Sequence, residues 1–169
     1  MNYYIMVIIL TISLLICMSY VIITKICFNE NSISESYYYL EDLKKGSGSL
    51  LFLGWCFLSG VSLFPIWLEC TPDNMQFVLF LSVSSLIFTG AFPKYLTDHN
   101  VRHYVLAGVC LGLSLLWGFL IGLWLIPLCL IIPTIIYCLI KKKEDLFYWV
   151  EVAGIVSIYT ELYYKMLIG

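Results

Sequence analysis

Asp98, His99 and His103 are the residues whose types and spacing come nearest to a chemical site. A His-x-x-x-His pair on a helix places both imidazoles on one face, one turn apart. Two imidazoles and a carboxylate hold zinc with water as a fourth ligand, the arrangement of a metal-dependent hydrolase. Glu144 and Asp145 are expected on the same side of the protein. A competing reading takes Asn100 as the N-cap of a helix, which leaves His99 outside it and breaks the spacing. Arg102 and His103 then snorkel toward headgroups.

Carboxylates inside apolar segments are the second kind of candidate. Glu151 lies about 9 Å beyond Asp145 along a helix, which sets it inside an otherwise apolar stretch. An intramembrane carboxylate needs a partner or a proton. By depth, the partners expected for Glu151 are His103 and Arg102, as a polar clip between helices or as a proton-responsive pair in a transport path. Glu161 stands four residues before Lys165, the favourable order for a helical ion pair near an outer surface.

These residues sit in a chain of 169 residues that is 62% hydrophobic, 17% aromatic and only 12% charged, with a mean hydropathy of +0.95. A soluble globule needs far more polar surface. The composition is that of a polytopic membrane protein in the cell membrane. A formal charge of −2 offers no basic field for nucleic acid. The seven cysteines contain no CxxC pair and fall mostly in apolar runs, so no disulfide framework is expected. Cys70 is the cysteine placed on the outer side, in an acidic turn with Glu69 and Asp73. The run from Tyr3 to Thr24 has no preceding Lys or Arg and no following A-x-A-like site, and reads as a retained span.

Stretches free of Asp, Glu, Lys, Arg and His cover 1–24, 46–68, 74–93 and 104–140. About 20 apolar residues cross a ~30 Å hydrocarbon core. The fourth stretch would reach about 55 Å as one helix, so it is read as a hairpin, with a re-entrant loop as the alternative. Gly118 and Gly122, flanked by Trp117 and Trp124, mark its expected turn. The expected fold is all-α, a single transmembrane domain of six spans near 3–28, 49–68, 75–93, 101–118, 122–140 and 146–168. Lys25, Lys44, Lys45, Lys94, Arg102 and Lys141 to Lys143 all fall at loops that share one side in that count, and Lys165 alone lies opposite. Retention of basic residues in the cytoplasm therefore predicts both termini outside.

The longest connection, 29–48, carries a capping-box pattern at Ser32 and Glu35. Ile33, Tyr37, Leu40 and Lys44 share one face of a short amphipathic helix, readable as an interfacial connector or as a gate or docking site at the inner mouth. Gly108 and Gly112 form one GxxxG and Gly118 and Gly122 another, while Ser82, Ser85 and Thr89 line one side of the third span. Such small residues let helices pack closely and can also border a water-filled path. Pro65, Pro127 and Pro133 are expected to kink their spans.

Three stretches, SISESYY at 32–38, FLSVSSLIFTGAFP at 80–93 and VRHYVLAG at 101–108, resemble a family of small uncharacterised multispanning proteins of gut Bacteroidetes-type bacteria and their phages. The resemblance implies a six-span inner-membrane protein and no particular activity. The alkaline-ceramidase-like hydrolases are a poorer comparison, since their site uses three histidines and this chain has only His99 and His103. Three function classes follow. The first is a non-enzymatic homo-oligomer, without cofactor, that conducts or binds a small solute or lipid. The others are a membrane metal hydrolase acting on lipid through Asp98, His99 and His103, and a regulatory or exclusion protein that binds another membrane protein through loop 29–48.

Overall fold

A backbone in an apolar medium must satisfy its own N–H and C=O groups, and a helix does so within one segment. A computed structural model describes residues 2–43, 48–92 and 101–168, and among them the chain is all-α. Seven helices follow in order: α1 (Tyr3–Phe28), α2 (Ser36–Leu43), α3 (Gly48–Glu69), α4 (Gln76–Ala91), α5 (Val101–Leu120), α6 (Leu125–Ile140) and α7 (Leu146–Ile168). Single 3-10 turns, Ile33–Glu35 and Asp73–Met75, lead into α2 and α4. Four segments, Tyr3–Phe28, Leu50–Glu69, Asp73–Ala91 and Val101–Leu120, are long and apolar enough to cross a membrane.

The helix ends follow local chemistry. Asn2 caps α1 by accepting the Tyr4 amide at 2.9 Å, and Asn29 ends it in the left-handed conformation, donating its own amide to the Lys25 carbonyl. The α5–α6 turn is at Gly122, whose φ of 81° suits a residue without Cβ. There the Leu123 amide donates to the Gly118 carbonyl at 2.8 Å and the Gly122 amide to Phe119 at 3.1 Å, the paired bonds of a Schellman end. Gly118 itself is not part of the turn but a buried residue in the last turn of α5. Lys142 ends α6 in the same way, with φ of 50° and the Lys143 amide on the Cys138 carbonyl.

Pro65 and Pro133 lie inside α3 and α6. Pro127 falls in the first turn of α6, where no intrahelical amide bond is lost, so the kink expected there has no cause. The capping box at 32–35 is replaced by other bonds. Ser32 Oγ pairs with Ser34 Oγ, and Glu35 Oε2 accepts the Asn31 amide at 2.8 Å. Ile33 and Tyr37 are buried and Leu40 half-buried, while Lys44 is outside the described residues.

α1 packs on α3 and α7, α3 on α4, α4 on α5 and α5 on α7, which closes a ring of five helices. α2 packs on α3, and α6 packs on α7 outside the ring. Leu10, Cys17, Phe52, Cys56, Ile66, Leu79, Trp117 and Leu162 belong to the core. The ring is drawn together where side chains are smallest. A Cβ at Gly90 would lie 2.8 Å from Cys56 Cβ and 3.1 Å from Leu53 Cα, so α3 and α4 nearly touch there. A Cβ at Gly154 would meet Leu111 Cδ1 at 2.9 Å, which sets the α5–α7 spacing.

Polar side chains inside the ring satisfy one another across helices. Ser82 Oγ donates to the Cys110 carbonyl at 3.0 Å and bonds Ser114 Oγ at 2.8 Å. Ser13 joins Tyr159 and Ser62, each at 2.8 Å, tying α1, α7 and α3. Ser85 and Thr89 are also buried, with the Thr89 hydroxyl donating to the Ser85 carbonyl. Of the stripe, Ser82 bonds across to α5 and Thr89 bonds within α4. Gly90→Ala should cost about 1–3 kcal/mol through overpacking, read as a lower thermal midpoint in detergent. Gly54→Ala, whose Cβ meets nothing within 4 Å, should leave the midpoint unchanged or raise it.

Candidate functional site

Five ionisable side chains gather where the end of α1, the segment 29–35 and the start of α7 meet. Lys25 is the cation among them. Its ammonium lies 2.9 Å from Asp145 Oδ2, donates to the Glu30 carbonyl at 2.5 Å and sits 4.5 Å from the centre of the Tyr148 ring. Asp145 Oδ2 also accepts the Trp149 indole N–H at 3.0 Å. Burial pushes the Asp145 carboxyl up, but Lys25 and Trp149 outweigh it and hold the group below the usual carboxylate range.

The segment after α1 is sewn to α7 through its backbone. The Ile33 amide donates to Glu151 Oε2 at 2.7 Å, and the Tyr148 amide donates to the Asn31 carbonyl at 2.9 Å. The Tyr148 hydroxyl donates to the Val21 carbonyl, and Tyr20 joins Ser36 at 2.7 Å. Segment 29–36 thus covers one end of the ring between α1 and α7. Glu30 is 0% exposed there, and neither carboxylate oxygen has a hydrogen-bond partner. Burial pushes its carboxyl up to about 7, with the charge of Glu35 adding to the rise and that of Lys25 opposing it.

The other buried carboxylate is Glu161, 1% exposed, on the inward face of α7. Its carboxylate lies against Gly118, so closely that a Cβ there would collide with Oε1 and Oε2. Oε1 has no hydrogen-bond partner. The surface pair expected with Lys165 is replaced by this inward placement, because the absence of a side chain at Gly118 leaves the space a carboxylate can enter.

Other expected residues take different places. Glu151 and His103 each have their own hydrogen bond instead of a shared one. Glu151 accepts from Ile33, whereas His103, buried beside Phe52, sets Nδ1 3.2 Å from the Thr89 carbonyl. Arg102 is exposed. The physical reason is that segment 29–36 folds over the start of α7 and supplies a donor nearer than α5. Asp98 and His99 lie outside the described residues, and among those described no group of three His, Cys, Asp or Glu side chains could hold a metal. Gly108 and Gly112 face outward with nothing packed on them. Gly118 receives Glu161, and Gly122 makes the turn.

Sequence reasoning missed the role of Glu30, Lys25 and Asp145. Lys25 and Asp145 stand at the ends of different apolar runs, and complementary charge at two expected cytoplasmic ends was the available signal. No family model matches the chain, and neither a curated protein nor a solved structure matches it.

A buried acid whose native value is raised from 4.5 to about 7 favours the folded state in its protonated form. The unfolded chain binds fewer protons in that window, so stability is fullest below about pH 4.5 and falls as pH rises to about 7. Thermal unfolding in detergent should show this decline for the wild type and a flatter profile for Glu30→Gln. Lys25, Glu35, Glu151, Tyr20 and Tyr148 are the charged and titratable neighbours that share its field.

Proposed function

We propose that the protein crosses the cell membrane six times, with both termini outside, and acts without catalysis as a homo-oligomeric channel or carrier for a proton or small cation. The observation that carries this is Glu161. A carboxylate at 1% exposure among apolar helices is costly when ionised, and a bundle that keeps one uses its proton or a bound cation to neutralise it. Interior serines and tyrosines supply further oxygen atoms along the ring.

α5 and α6 are separate helices joined by the turn at Gly122, which supports the hairpin over a single long crossing. α6 has 16 residues, about 24 Å of helix, so the bilayer thins locally or the Trp124 and Lys141 ends reach to the headgroups. The outward Gly108–Gly112 face supports self-association through close helix approach. Ile33 and Tyr37 of segment 29–43 are buried in the protein's own bundle while Tyr38 and Tyr39 are exposed, so Ile33 and Tyr37 are taken out of any partner-docking face there.

In proteoliposomes with an internal pH dye, the wild type should pass protons or a monovalent cation faster than empty vesicles, and Glu161→Gln should return the rate to the empty-vesicle level. Equal rates for wild type and empty vesicles would overturn the reading. A periplasmically active reporter should work when fused after Ile168 and be silent when fused in 141–145. A Gly108→Leu, Gly112→Leu double variant should run as the 19.4 kDa monomer plus detergent.

A further inference from the structure

α6 stands outside the ring and touches it through α7, and the junction of the two helices is not filled. A cleft of about 390 Å³ opens there, lined by Pro133, Thr134, Tyr137, Cys138, Lys143 and Trp149. Its walls are a proline ring, a threonine whose hydroxyl already donates to the Leu130 carbonyl at 2.7 Å, a thiol and two aromatic rings. Such walls offer dispersion contacts and almost no hydrogen bonds. Lys143 is the cation on its lining, with Lys141 and Lys142 beside it at the left-handed end of α6. Asp145 is already neutralised by Lys25 at 2.9 Å, and its remaining bond holds the Trp149 indole. Lys143 stands on the cleft lining, and Lys141, Lys142 and Glu144 flank it along the chain, so three lysines against one carboxylate leave that turn a net charge of +2. The amides at the start of α7 do not compete, because Tyr148 is committed to Asn31 and Trp149 to Asp145.

We propose that this cleft binds one anionic phospholipid, with an acyl chain along Pro133, Thr134 and Tyr137 and the headgroup phosphate on the lysine turn 141–143. An apolar slot topped by lysines on the expected cytoplasmic side matches the two halves of such a lipid, and the charge complementarity selects it over a zwitterionic one. The lipid also covers the face of α6 that α7 leaves bare. The inference rests on α6 and α7 lying in the bilayer and does not depend on transport through the ring.

The test is native mass spectrometry of the full-length protein in detergent, titrated with dioleoyl phosphatidylglycerol and, separately, dioleoyl phosphatidylcholine. The expected result is one retained phosphatidylglycerol, with the phosphatidylcholine bound about tenfold more weakly or worse. A Lys141→Gln, Lys143→Gln variant should lose the preference between the two lipids. Thr134→Trp, which fills the cleft without altering charge, should lose retention of both. Circular dichroism of each variant should show unchanged helix content, and the surface lysine variant keeps the test decisive if the tryptophan does not fold. Equal retention of the two lipids, displacement of lipid by excess glycerol phosphate, or a second copy of the chain bound in place of lipid would each overturn the proposal. Glu161→Gln should retain lipid like the wild type, so a failure of transport leaves this result standing. A chain that purifies without detergent would sink the membrane reading itself.

Discussion

The ammonium of Lys25 bonds the Asp145 carboxylate and the Glu30 carbonyl while lying over the Tyr148 ring, and so joins three parts of the chain that are far apart in sequence. Both partners are half-buried, at 16% and 15% side-chain exposure, so loss of either charge leaves the other without its partner in a site with limited water. That pair holds the end of α1 against the start of α7. The folding of segment 29–36 over the same end depends on it, because the Ile33 and Asn31 backbone groups find Glu151 and Tyr148 only when α7 begins beside α1. The burial of Glu30 is a consequence of that cover.

From this end, α7 runs as the common neighbour of the other helices. It touches α1 and α5 in the ring and carries α6 outside it. Small residues set its distances, Gly154 against Leu111 and Gly118 against Glu161. Hydroxyls on outward faces are satisfied within their own helices, as with Thr134 on Leu130 and Thr160 on Val156. A hydroxyl bonded to the carbonyl four residues back presents mainly its methyl or methylene to its surroundings, so it is tolerated where water is absent.

Two different kinds of polar interior result. Ser13, Ser62 and Tyr159 between α1, α3 and α7, and Ser82 and Ser114 between α4 and α5, are paired across helices. The carboxylates of Glu30 and Glu161 hold oxygen atoms without hydrogen bonds. They lie toward opposite ends of the bundle's connections, Glu30 after α1 and Glu161 in the second half of α7. The proposed proton or cation handling draws on Glu161, whereas Glu30 lies under segment 29–36, where burial raises its carboxyl.

The helical class, the intervals of the long helices and the end of the α5–α6 turn at Gly122 were legible in the residues, because apolar length and glycine's conformational freedom act locally. The serine stripe at Ser82, Ser85 and Thr89 was legible as a buried face for the same reason, since helical spacing alone sets it. The partners of the charged residues were not. Glu151 met the Ile33 amide instead of His103, Glu161 turned inward onto Gly118 instead of outward to Lys165, and Glu30 was covered instead of solvated. Each of those outcomes turns on which helices become neighbours and on how one connection folds back. Hydropathy and charge order along a chain carry depth and side but not the rotation or adjacency of helices, and only the tertiary structure decides which buried carboxylate meets a donor and which meets none.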